Sequence, residues 1–248
     1  MSAKGRLIVF LVGAAALVPW LGRGLLGLPP FGAARAAYGE LINAVAESER
    51  HVTNAVTAVN FDYRGVDTLG EEYILFAAVA AVAVLLREER GAYRGEPRRH
   101  PSKPPGPSEA VRWSGLLAIG LTDLFGLYVV VHAAATPGGG FQGGAILGTG
   151  SLLAYLATDD RTFRRVSPKR LNDLAEAVGA GGYALIGLAT LAAGGAFLEN
   201  ILPLARSGDL AAGGTIPLIN LAVGLEVAAG FALLFREFLE QVPGEEGE

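Results

Sequence analysis

Apolar residues fall along this chain in runs of about twenty, the length that crosses a bilayer as a helix, and polar residues gather between them. The runs lie at about 7 to 27, 69 to 87, 113 to 134, 142 to 158, 177 to 198 and 216 to 236. This pattern predicts an all-α, polytopic integral membrane protein with about six transmembrane helices. Arg23 falls near the end of the first run and has to snorkel to the interface. Lys4 and Arg6 ahead of that run, with Ala14, Ala15 and Ala16 inside it, also fit a cleavable signal peptide. The apolar character continues through Leu17, Val18, Trp20 and Leu21, which suits an uncleaved first span better. After Pro29-Pro30, the stretch from Ala33 to Ala58 has helical patterning with Glu40, Glu47, Glu49 and Arg50, and is expected at the surface.

Composition agrees with this reading: 51% of residues are hydrophobic and 18% charged. The formal net charge is -4 and no basic groove is visible, which argues against nucleic-acid binding. With no cysteine and three histidines, disulfides and thiolate chemistry are excluded, and neither a metal site nor a redox cofactor is expected. Basic residues concentrate in two loops, at Arg87, Arg90, Arg94, Arg98, Arg99 and Lys103, and at Arg161, Arg164, Arg165, Lys169 and Arg170. Both are expected in the cytoplasm, and an even number of spans then puts both termini there. Arg35, Arg50 and Arg64 on the opposite side weaken that bias without reversing it. Pro101, Pro104, Pro105 and Pro107 mark a linker. It divides the chain into a two-span module, 1–105, and a four-span module, 106–248.

Candidate chemistry begins where Phe61-Asp62-Tyr63-Arg64-Gly65-Val66-Asp67-Thr68-Leu69-Gly70-Glu71 runs into the second span. Asp67 and Glu71 stand four residues apart and so share a helical face. Carboxylates beside hydrocarbon are costly and are usually kept for ion or proton traffic. Arg64 can pair with Asp62 or Asp67 as a plain anchor, or tune the cation affinity of Asp67 and Glu71 at an access point. Asp123 and Glu226 lie near the middles of spans three and six. Each is either transport-linked or held in a structural hydrogen bond, with Thr122, Asn220 or a neighbouring subunit as partners. His132 reads as an interfacial hydrogen-bonding residue, and Glu199 and Asn200 as solvated. The lysines, Lys4, Lys103 and Lys169, all fall outside the spans, so the carboxylates lack the lysine partner common in proton pumps.

Between spans three and four lies Pro137-Gly138-Gly139-Gly140-Phe141-Gln142-Gly143-Gly144, and Gly140, Gly144 and Gly148 recur at four-residue spacing. A face without side chains lets a second helix approach closely. The alternative is a backbone nest for a ligand, although no phosphate-type Lys or Arg follows it.

Two stretches resemble known families. Asn54 through Glu71 is similar to a region shared by the C-terminal part of the large A subunit of Mrp-type multisubunit cation/proton antiporters and a small subunit of membrane-bound hydrogenases. Asp62, Arg64, Gly65, Asp67, Thr68, Leu69, Gly70 and Glu71 match its DFRGFDTLGE motif, with Tyr63 and Val66 at its aromatic positions. From about Trp113 onward the chain resembles the B subunit of the same antiporters, with Pro137, Gly138, Gly139, Gly140, Phe141, Gly143 and Gly144 matching PGGGFxGG and Ile216 to Gly224 resembling its final helix. The family histidine three residues before the proline is replaced by Ala134. The resemblance implies a fused, non-enzymatic subunit working with other subunits in the bilayer, exchanging Na+ for H+. The alternative it leaves is a structural scaffold in a hydrogenase-like or complex I-related assembly. A free-standing carrier would normally show an internal repeat, and none is visible.

Overall fold

The computed structural model describes residues 3–30, 37–92, 107–158 and 160–239, and these form helices and turns without a strand. The chain divides into two compact units, Met1–Leu41 and Ile42–Glu248. The first holds α1, Ala3–Leu26, which runs on through Pro19. Helix α2, Ala37–Arg50, leads into the second unit. There follow α3, Ala55–Ala58, a π-helical turn at Val59–Tyr63, α4, Gly65–Ala92, α5, Glu109–Val131, α6, Gly140–Ala157, α7, Asp160–Val166, α8, Lys169–Ala192, and α9, Ile216–Leu239.

Among the described residues five stretches are long and apolar enough to cross a membrane: Leu7–Leu26, Gly65–Leu86, Glu109–Val131, Thr162–Ala192 and Ile216–Leu239. The protein is an all-α polytopic membrane protein. The expected span at 142 to 158 exists as α6, but Gln142 and its glycines dilute its apolarity, and it is not one of the five. The helix expected at 177 to 198 starts earlier, at Lys169, and stops at Ala192, where Gly194 takes a left-handed φ of 89°. The expected surface helix is broken at His51, whose φ is 57°. Asn54 then caps α3 by accepting from the Thr57 N–H.

Helix α9 is the centre of the second unit, with 56% of its apolar window buried against 11% for α4. It packs on α4, α5, α6 and α8. Close approach fixes its contact with α6. A β-carbon built on Gly144 would lie 2.8 Å from the Gly224 carbonyl oxygen, and one on Gly148 would lie 2.6 Å from Phe231 Cβ. Gly143 turns the other way, onto Gly126 and Val130 of α5. These contacts make α6 parallel to α9.

Gly179 of α8 meets Glu226 of α9 while Glu176 approaches Gly230, so α8 is antiparallel to α9. The loops at 51–64, 132–139 and 193–215 therefore meet at one end, near the start of α9. The opposite end holds α7 and the start of α8, with Arg164, Arg165, Lys169 and Arg170. Arg94, Arg98, Arg99 and Lys103 of the other basic loop, and the module boundary expected after residue 105, lie outside the described residues.

Candidate functional site

The two sequence motifs meet at the loop end. Asn54 Nδ2 donates to the carbonyls of Ala133 and Thr136, both at 2.9 Å, and lies 3.2 Å from that of Gly138. Thr53 Oγ1 donates to Ala135 O at 2.7 Å. Asn220, fully buried on α9, accepts the Gly140 N–H at 2.8 Å, which ties the start of α6 to the central helix. Gly138, at φ 137°, makes the turn.

A cleft of about 230 Å³ opens between the motifs, lined by Thr57, Asn60, Phe61, Thr68, Glu71, Gly138, Gly139, Phe141 and Gln142. The lining offers one carboxylate and several neutral oxygens. Gly140, Gly144 and Gly148 face α9, while Gly138 and Gly139 line the cleft.

The acids of the first motif separate. Asp67 is exposed and pairs with Arg64 on the outer surface, and Glu71, one turn on, reaches the cleft. Asp62 has a different partner: its side chain is 7% exposed, one oxygen takes the Arg50 Nε–H at 2.8 Å and the other the Asn200 Nδ2–H at 2.9 Å. Asn200, expected in solvent, also donates to Gly213 O and accepts the Thr215 N–H. It is drawn in because the 193–215 loop folds back over the π-helical turn.

Beside this network the Tyr63 hydroxyl donates to Glu49 at 2.9 Å, and Arg50 lies 5.2 Å above the Tyr63 ring. Desolvation first, and then the Glu49 hydrogen bond, push the Tyr63 phenol up to about 12. His132 stacks on Tyr128 at 4.1 Å and bonds its carbonyl, in keeping with an interfacial role, and Glu199 stays exposed.

A second set of acids lies inside the bundle. Glu226 of α9 and Glu72 of α4 are both 0% exposed, and because Gly230 of α9 packs on Leu75 and Val79 of α4, the two acids, about one turn earlier on each helix, lie at the same level of the α4–α9 contact. No donor among the described residues reaches any of their four oxygens. Carboxylates only accept, so the two can hydrogen-bond to each other only when at least one carries a proton. Glu176 of α8 is 8% exposed and its Oε1 is buried with no hydrogen-bond partner among the described residues.

Sequence reasoning found Glu226 and missed Glu72 and Glu176. Glu72 falls on the α4 stripe Gly65, Thr68, Glu72 and Val79, which the packing buries as a set. Asp123 does not join this group: it is exposed on α5, with its Oδ1 in the space left by Gly150 of α6. Asn220 is engaged by the Gly140 N–H and by Ile216 O, and no donor among the described residues, Asn220 included, reaches Glu226.

Residues 111–233 match the family described as "domain related to MnhB subunit of Na+/H+ antiporter". Over 211 residues the chain is 31% identical to the uncharacterized protein MJ1307 of Methanocaldococcus jannaschii, covering 77% of this chain and 79% of that protein. A chain of the membrane-bound sulfane sulfur reductase, an archaeal respiratory membrane complex, superposes with a TM-score of 0.68 at 32% identity, over 94% of this chain and 98% of that one. A chain of the Mrp complex from Dietzia sp. DQ12-45-1b gives a TM-score of 0.68 at 26% identity, over 96% of this chain and 26% of that larger one.

Proposed function

We propose that this chain, which belongs to the family of domains related to the MnhB subunit of Na+/H+ antiporters, takes part directly in exchanging Na+ for H+. It is a membrane subunit of an Mrp-like or respiratory membrane complex. The observation that carries the finer reading is the cleft in which Glu71 faces the glycine-rich turn. A small hard cation is held by oxygen atoms, and a single carboxylate among neutral oxygens balances a single positive charge. Thr57, Asn60, Thr68 and Gln142 supply neutral oxygens there. The exposed Arg64–Asp67 pair marks the approach to it, and Asp62 holds its outer wall through Arg50 and Asn200.

The chain acts here as a transporter subunit, in which α4 packs on α9. The basic end, with Arg164, Arg165, Lys169 and Arg170, then faces the cytoplasm, and the cleft opens on the other side.

The test is sodium-dependent proton flux in vesicles carrying the whole complex with Glu71→Gln, beside a blot of every subunit. The expected result is flux reduced at least tenfold with assembly intact. Unchanged flux removes Glu71 from the ion route. Lost assembly supports the other reading, a scaffold subunit, which the Asp62 network and the glycine faces favour.

A further inference from the structure

We infer that Glu72, Glu226 and Glu176 form a proton-transfer line through the interior of the bundle, from the cleft to the basic end. The idea rests on the antiport reading for its driving force, and uses residues separate from the cation cleft. Three features carry it: the burial of the acids, the lack of donors and their order along the helices. Glu72 and Glu226 are fully enclosed, lie at one level of the α4–α9 contact, about one turn before the Gly230 contact with Leu75 and Val79, and are reached by no donor among the described residues. A fixed structural acid inside a bundle is ordinarily matched by a base or by several donors, because an unmatched one is costly. Two acids placed together in this way match each other only when at least one of them carries a proton.

The line continues at both ends. Glu226 sits where α8 crosses α9, at Gly179, and Glu176 lies three residues before Gly179, close to Gly230, one turn beyond Glu226. One helical turn is about 5.4 Å, a gap that a single water spans. On α8, Asp173 lies three residues before Glu176 and is half exposed in its pair with Lys169, 2.7 Å away. At the other end Thr68 lines the cleft, and the Tyr183 hydroxyl, beside Thr68 and Glu72, donates to Gly65 O at 2.7 Å. Among the described residues the titratable groups near Glu226 are thus Glu72 from α4 and Glu176 from α8.

In each step the O–H bond of one carboxyl breaks as an O–H bond forms on the next. A proton on Glu72 passes to the Glu226 carboxylate, then through water to Glu176, and leaves at Asp173. Glu72 is recharged from water in the cleft, and the reverse order serves flow the other way. No electron moves, so no redox partner is needed.

The experiment uses vesicles of the whole complex with Glu226→Gln, Glu226→Asp and Glu176→Gln. Proton flux is read with a pH dye under an imposed pH gradient, with and without sodium, alongside retention of isotopic sodium and infrared difference spectra of the carboxyl C=O region. Glu226→Gln and Glu176→Gln are expected to lower proton flux at least tenfold and to remove a carboxyl band, with sodium retention unchanged, while Glu226→Asp restores part of the flux. Wild-type flux in assembled Glu226→Gln or Glu176→Gln complexes overturns the line and leaves the Glu71 reading standing. If the wild-type complex shows no sodium dependence, the antiport reading fails, and the sodium-free proton flux of the variants still decides this one. Should Glu226→Gln block assembly, Glu176→Gln decides alone: lowered flux supports the line and normal flux refutes it.

Discussion

Replacing Gly144 with alanine tests the packing that positions everything else. The new β-carbon would stand 2.8 Å from the Gly224 carbonyl oxygen, 2.8 Å from Val227 Cβ and 3.1 Å from Val227 Cγ1. None of these atoms can swing aside: one is backbone, and Val227 is fully buried and stiff at χ1. Raising the 2.8 Å carbon contact to a tolerable 3.5 Å requires α6 and α9 to part by about 0.7 Å, in a core that is close-packed. Overpacking of this kind costs about 1–3 kcal/mol. Alanine also improves helix propensity by about 1 kcal/mol, which masks part of the loss. Gly181→Ala, inside α8 with nothing within 4 Å of the added carbon, receives the propensity gain alone and is the proper reference. The assay is reversible unfolding in mixed micelles by detergent titration. Gly144→Ala is expected to be about 1–3 kcal/mol less stable than Gly181→Ala. Equal midpoints would refute the claim that the glycine face sets the α6–α9 distance.

Two further outcomes concern the loop end. Asp62→Ala removes the acceptor of both Arg50 and Asn200, leaving the Asn200 Nδ2 group with Gly213 O as its remaining acceptor; the expected cost is about 1–3 kcal/mol, read as earlier protease cleavage between residues 42 and 64. Tyr63 gives a pH dependence: its phenol is held protonated up to about 12 in the folded state against about 10 unfolded, so the folded form binds the extra proton, and stability falls as pH rises from about 10 through 12. Circular dichroism across that range should show loosening of the wild-type loop end that Tyr63→Phe lacks.

The helices and the glycine face were legible because both are periodic: runs of about twenty apolar residues specify spans, and four-residue glycine spacing specifies a contact. The meeting of the two motifs was not, since Asn54 reaches Ala133, Thr136 and Gly138 across about eighty residues of chain and nothing local encodes that bond. The acids show the limit most clearly. Glu71 and Glu72 are neighbours in sequence, and successive helical residues differ by about 100° around the axis, so one faces the cleft and the other the core. An apolar helix with residues suited to lipid on most sides gives no local signal for which side is inward. That choice is made by α8 and α9, where Gly179 lets the backbones close on Glu226 and Tyr183 reaches Gly65. The direction of Glu72 is therefore a property of three helices packed together. Acids in such a stripe become informative once paired with small residues on the facing helix, as Glu226 is with Gly179 and Glu176 with Gly230.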